Sequence, residues 1–166
     1  MQKPLIDYLP SRIWLMKSEP DVFSFFDLEK KMGQKEQWDG VRNYQARNFM
    51  QKEMKVGDKV LFYHSNANPS GIVGLAEVVE EAKPDFTALD PNSEYFDPKA
   101  TKENPRWYAV TVGKPQKFPK FISLSEMREH EPLQNMLLLR KGQRLSILPV
   151  SLNEYSFILQ LARFHK

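Results

Sequence analysis

Two apolar runs with a loop of turn-forming residues between them constrain this chain more than any other feature. Lys59-Val-Leu-Phe-Tyr-His-Ser65 reads as a strand of β-branched and aromatic residues, and Val56-Gly57-Asp58 turns the chain into it. Asn66-Ala-Asn-Pro-Ser-Gly71 is a loop by composition. Ile72-Val-Gly-Leu-Ala-Glu-Val-Val79 then returns as an antiparallel partner, where Gly74 allows a bulge or a close backbone approach. A period of two predicts Val60, Phe62 and His64 on one face of the first strand, with Leu61, Tyr63 and Ser65 on the other.

The remaining segments fit around that pair. Arg12-Ile-Trp-Leu-Met-Lys17 predicts a buried strand that must stop before Pro20, leaving Lys17, Ser18 and Glu19 at its end. Ser24-Phe-Phe-Asp27 matches a capping box for a short helix that Gly33 ends, and a polar loop runs from Gln34 to Gln37. A helix is expected from Arg42 to about Met54. Residues 83–106 are rich in Pro, Asp and Asn and predict an excursion over the surface, with a short strand near Tyr95-Phe96. Trp107 to Val112 reads as a strand, and Ser123-Leu-Ser-Glu126 starts a helix that His130 to Pro132 interrupts. Leu145 to Leu148 reads as the last strand. Ser151-Leu-Asn-Glu154 opens a final helix to about Arg163, with Leu152, Tyr155, Leu159 and Ala162 on one face. Five or six strands flanked by helices make this an α+β chain with a small mixed barrel.

A chain of 166 residues supports one domain that buries roughly 68–70% of its unfolded surface. Residues 1–11 carry two prolines and no periodicity, and read as a flexible arm before a domain spanning 12–166. The absence of cysteine excludes a disulfide framework and a thiolate metal site. No apolar run approaches the roughly 20 residues of a membrane span, and no signal-peptide core is present, so a cytosolic protein is expected. The net charge of +3 is unevenly distributed. Residues 1–113 hold 15 basic and 17 acidic side chains, whereas residues 114–166 hold 9 and 4. Such a chain presents either a basic face to phosphates or an ordinary solvated surface.

Trp38-Asp-Gly-Val-Arg-Asn-Tyr-Gln-Ala-Arg-Asn-Phe49 fits neither a core element nor a linker. It combines an aromatic plate, an Asp39-Gly40 turn and two guanidiniums, Arg42 and Arg47, at the start of a helix without a clean apolar stripe. Stacking surface beside hydrogen-bonding groups and positive charge suits a nucleobase or nucleotide. Trp38 reads equally well as a packing lid, and either arginine as a surface ion-pair partner. Ser18 or Ser65 with His64 and Asp39 could be assembled into a hydrolase triad, but no Gly-x-Ser-x-Gly elbow supports it. His64, His130 and His165 lack the spacing of a metal site. His64 by default is a hydrogen-bonded, half-buried histidine.

Taken together, Trp14-Leu-Met-Lys-Ser-Glu-Pro20, Trp38 to Asn48, Val56-Gly-Asp58 and Phe62-Tyr-His-Ser65 resemble the EVE-domain family. Tyr95-Phe-Asp-Pro98, Arg106-Trp107 and Arg144-Leu-Ser146 extend the resemblance over nearly the whole chain from Arg12. The resemblance implies a PUA-like fold, a five- to six-stranded pseudo-barrel, whose cleft reads modified bases in DNA or RNA. It implies neither catalysis nor a cofactor. Carried over by position, the cleft is lined by Lys17, Ser18, Glu19, Trp38, Asp39, Gly40, Val41, Arg42 and Asn43. Tyr63, His64, Ser65, Arg144 and Ser146 complete it, and Arg42, Arg47 and Arg144 are expected to hold phosphates. The expected partner is nucleic acid carrying a modified base, cytosine-type among the candidates. The protein is expected as a monomer or weak dimer in the cytoplasm, or in the nucleus of a eukaryote. The competing readings are an enzyme acting on a nucleotide or modified base through His64 with Glu19 or Asp39, and an RNA-binding accessory domain without base selectivity.

Overall fold

The structure is a computed structural model that describes residues 12–165; the arm expected over residues 1–11 lies outside them. Six strands form one sheet: β1 (Ile13–Ser18), β2 (Lys35–Gln37), β3 (Lys59–His64), β4 (Gly71–Pro84), β5 (Tyr108–Ser123) and β6 (Ile147–Val150). Their order is β2-β5-β4-β3-β1-β6. Strands β1 and β3 run parallel, with Ser18 opposite His64, and the other pairs are antiparallel. The end strands β2 and β6 are not neighbours, so the mixed sheet stays open. Four helices flank it: α1 (Phe25–Lys30), α2 (Tyr44–Asn48), α3 (Leu124–Arg128) and α4 (Leu152–Leu161).

The central strands are apolar throughout because each face of the sheet is covered. Leu15, Leu61 and Tyr63 pack with Met127, Tyr155 and Ile158 from α3 and α4. Trp14, Met16, Val60 and Phe62 point the other way, onto Phe25, Leu28, Ala46 and Met50. The alternation expected along β3 is therefore present, with Phe62 and His64 sharing a face. Gly74 lies beside register shifts in both β3–β4 and β4–β5. A Cβ there would sit 2.7 Å from the Gln116 carbonyl oxygen and the Phe25 ring, so only glycine lets α1 come down on the sheet.

Several boundaries differ from those expected. Lys35 to Gln37, expected as loop, pair with Thr111 to Gly113 as a short edge strand. The strand expected to end at Val112 continues to Ser123 through Pro115 and Pro119. It can do so because β2 covers only Thr111 to Gly113; beyond it β5 has a free edge that prolines do not disrupt. Tyr95-Phe96 forms no strand; the excursion is built from turns, beginning with a 3₁₀ turn at Phe86–Leu89 capped by Asp85. β6 begins at Ile147, later than expected, because the Leu145 N–H is taken up by the Gln143 side chain. Both capping boxes, at Ser24 and Ser151, close as expected. The buried stripe of α4 is Tyr155, Ile158 and Ala162; Leu152, expected to be buried, is 48% exposed.

Candidate functional site

Where β1 ends, three later segments converge on a cavity of about 730 Å³. The Lys17 N–H donates to the Ser146 carbonyl at 2.8 Å, so the approach to β6 lies beside the end of β1. After β2, Trp38 donates its backbone N–H to Val110 at 2.8 Å, and Asp39 and Gly40 then turn the chain across the opening. Gly40 takes φ +80, and a Cβ there would sit 2.7 Å from the Tyr95 ring. The Gly40 N–H donates to Asp85 Oδ2 at 2.8 Å. Glycine is thus required twice, for its conformation and for the ring seated on it.

Of the expected site residues, Lys17, Ser18, Glu19, Trp38, Asp39, Gly40, Val41, Arg42 and Ser146 line this cavity. Trp38 is packed into the core as the lid reading expected, and it also lines the cavity. It is only 7% exposed, with Phe23 and Phe62 packed edge-on to its ring at 6.4 and 5.3 Å. The indoles of Trp14 and Trp107 donate to Asp58 and Asp97. The Trp38 indole N–H has no protein acceptor among the described residues, so the wall offers a ligand a donor and a narrow apolar strip. The Ser18 hydroxyl donates to the Phe23 carbonyl, which leaves its oxygen to accept.

Charge in the cavity is mixed. Lys17 is half-buried, and burial lowers its pKa. Partial shielding in the cavity raises the Asp39 carboxyl, and the negative charges of Asp85 and Glu36 raise it further. The Asp39 side chain is nevertheless exposed to solvent and accepts no hydrogen bond among the described residues, so it can meet a ligand. Lys31 and Glu36 are paired to each other.

Arg42 departs from the expected phosphate role. Its guanidinium donates to Tyr95 O, Val41 O, Asp85 Oδ2 and Thr87 Oγ1 through five hydrogen bonds of 2.8–3.1 Å. All five N–H groups are occupied, so no donor remains for a phosphate. Arg42 is a strut that ties the cavity floor to the excursion. Burial would raise the pKa of Asp85, but bonds from Thr87, Gly40 and Arg42, together with the Arg42 charge, outweigh it and hold the carboxyl below the usual range.

Five expected residues do not line the cavity. Asn43 caps α2, accepting from the Ala46 N–H at 3.0 Å. Tyr63 points to the opposite face, where burial raises its hydroxyl pKa. His64 Nε2 accepts from the Phe25 N–H at 3.0 Å, and burial lowers its pKa, so it is a neutral acceptor that fixes α1. Ser65 donates its N–H to the Ser18 carbonyl at 3.0 Å, bracing the wall from behind. Arg144 is exposed two residues before Ser146 and has no protein partner among the described residues. Arg47 also lies outside the wall, over the Tyr44 ring at 4.8 Å.

Phe23 and Tyr95 line the cavity, and Asp85 braces it, without having been expected there. Tyr95 lay within a segment that marked the family resemblance. Asp85 sits in a Pro/Asp-rich stretch that gives no pattern to read. Among the described residues no group of three or more His, Asp or Glu could hold a metal ion. Likewise, none of their helices is long and apolar enough to cross a membrane.

Residues 12–161 match the EVE domain profile. The chain belongs to the EVE-domain family. Human thymocyte nuclear protein 1 is 42% identical over 165 residues, covering 89% of this chain and 72% of that protein. The structure of human THYN1 in complex with 5-methylcytosine containing DNA has a TM-score of 0.87 and 41% identity, covering 94% of this EVE chain and 100% of that one. A hypothetical protein from Leishmania major has a TM-score of 0.86 and 51% identity, with 92% and 95% covered.

Proposed function

We propose that this EVE domain binds nucleic acid at a modified, cytosine-type base and holds that base, extruded from its strand, in the cavity beside Trp38. The observation that carries this reading is the cavity itself, in a chain 41% identical over nearly its whole length to a protein solved with 5-methylcytosine DNA. Its volume falls in the range of about 300–1,000 Å³ expected for ligand sites. Cytosine presents an amino donor and a carbonyl acceptor, and carboxylates accept from that amino group. Asp39 supplies an unpaired carboxylate and Trp38 an unpaired N–H, which is the complementary pair. A methyl group would lie against Val41 and Phe23, where one carbon contributes about 0.8 kcal/mol, so discrimination needs a close fit. Lys17 and Arg144 are the cations we assign to phosphates.

Binding without turnover is the accompanying reading. His64, the base of the competing enzyme reading, already accepts a backbone hydrogen bond and does not line the cavity. RNA as well as DNA can present an extruded cytosine, and we include both as partners of a monomer or weak dimer. We place its work in the cytoplasm, or in the nucleus where the cell has one, as the relatives' name suggests. The test is titration of single-stranded oligonucleotides carrying 5-methylcytosine against plain ones, as DNA and as RNA. Tighter binding of the methylated strand is expected; equal binding of every strand would sink the reading.

A further inference from the structure

Tyr44 is the residue that the cavity leaves unexplained. It opens α2, is 54% exposed, and yet is held from several sides. Its ring stacks on Trp107 at 5.1 Å with planes 13° apart. Its hydroxyl accepts from Arg106 Nη2 at 2.6 Å. Trp107 is fixed in turn by its indole N–H on Asp97 Oδ2 at 2.7 Å, and Arg106 Nε lies 3.1 Å from the same oxygen.

Arg47 lies 4.8 Å from the Tyr44 ring and 5.7 Å from the Trp107 ring. With the two rings 5.1 Å apart, the three centres form a nearly equilateral triangle. A guanidinium over the outer face of Tyr44 would stand much farther from Trp107, so Arg47 leaves that face uncovered, and Tyr44 keeps 54% of its surface exposed. Arg47 donates to the Arg106 carbonyl and to Asn48, which leaves two of its five N–H groups without a partner among the described residues. The stack adjoins the cavity through Arg42, which lines the cavity and whose guanidinium lies 5.2 Å from the Trp107 ring.

From this geometry we infer that the outer face of Tyr44, rimmed by Arg47 and Arg106, is a second subsite that stacks an unpaired nucleobase adjoining the base in the cavity. A rigid ring with an open face gives stacking at little ordering cost, and two guanidiniums beside it suit the phosphate that joins the nucleotides. Such a platform takes any base, because every base has a π face. It supplies affinity and strand continuity, whereas the cavity supplies selectivity.

The inference rests on the proposed function, and the test separates the two. Affinities are measured for 5-methylcytidine monophosphate, for single-stranded trinucleotides with a central 5-methylcytosine or a plain cytosine, and for the methylated trinucleotide with either neighbour made abasic. Tyr44→Ala should weaken the trinucleotide by about 5- to 150-fold and leave the mononucleotide unchanged. One abasic strand should show the same loss with the unaltered protein, and Tyr44→Ala should lose nothing further on it. Tyr44→Phe keeps the ring and should keep most of the affinity. Unchanged trinucleotide binding by Tyr44→Ala would overturn the inference. So would an equal loss in Tyr44→Phe, or a parallel loss of the mononucleotide, since each marks a structural role. Equal binding of methylated and plain trinucleotides would sink the cavity reading alone, because the abasic comparison still reports on Tyr44. Failure of every strand to bind would overturn both.

Discussion

Trp38 serves the core and the cavity at once, so truncating it and altering its edge should have different effects. Trp38→Ala removes a ring packed on Phe23 and Phe62, and a loss of about 3–5 kcal/mol is expected in denaturant unfolding. Trp38→Phe retains a single apolar ring and removes the free N–H together with the rest of the fused indole. It should lose much less stability and still weaken binding of a 5-methylcytosine strand; unimpaired binding would show that the N–H has no ligand. Arg42→Ala is the matching test of the strut. It leaves Asp85, whose side chain is 1% exposed, as a buried charge without its partner. That costs about 3–5 kcal/mol in comparable pairs. If stability were unchanged and the salt dependence of binding fell instead, Arg42 would be a phosphate ligand after all. The cavity residues near Pro20 and Gly40 were legible because strand ends and Asp-Gly turns leave local signatures. Asp85 and Tyr95 were not, since each meets Gly40 and Arg42 from more than forty positions along the chain.

At the scale of elements, legibility follows from whether an element is specified locally or by its neighbours. Capping boxes at Ser24 and Ser151 and the two-faced apolar pattern of β3 carry their own instructions, and each formed where expected. β2 has no pattern of its own; three polar residues become a strand only because β5 offers an edge. The second half of β5 was hidden by prolines that a free edge tolerates. The excursion after β4 depends most on tertiary context, and Asp85 caps its first turn by accepting from the Thr87 N–H at 3.0 Å. Its depressed carboxyl value gives that attachment a pH signature. A group more acidic folded than unfolded stabilises the fold above the ordinary value of 3.8, and that contribution disappears as pH falls through the lower folded value. Stability measured by denaturant from pH 7 downward should therefore fall in that acid range. Asp85→Asn should start lower at neutral pH and fall less steeply; an acid limb as steep as in the unaltered protein would assign it to other carboxylates.

For the whole molecule, the division of charge along the chain separates affinity from selectivity. Residues 114–166 supply all of the excess positive charge, and Arg144 brings it next to the cavity residue Ser146 without any protein partner among the described residues. A cation that meets phosphate contributes equally to every sequence and releases about one counterion on binding. Arg144→Ala should therefore reduce the slope of log affinity against log salt by about one, and weaken methylated and plain strands by the same factor. Asp39 sits on the other side of that division. Asp39→Asn replaces a carboxylate that only accepts with an amide that also donates, so it should reduce the preference for cytosine-type bases while changing the salt slope little. The Asp39 carboxyl is raised in the folded protein, so folding favours its protonated form and its charge opposes folding above that value. The asparagine variant should accordingly be no less stable than the unaltered protein at neutral pH. Salt titrations of both variants on a matched pair of strands decide the matter. If Asp39→Asn changed only the slope and Arg144→Ala only the base preference, the assignment of cavity and rim would have to be reversed.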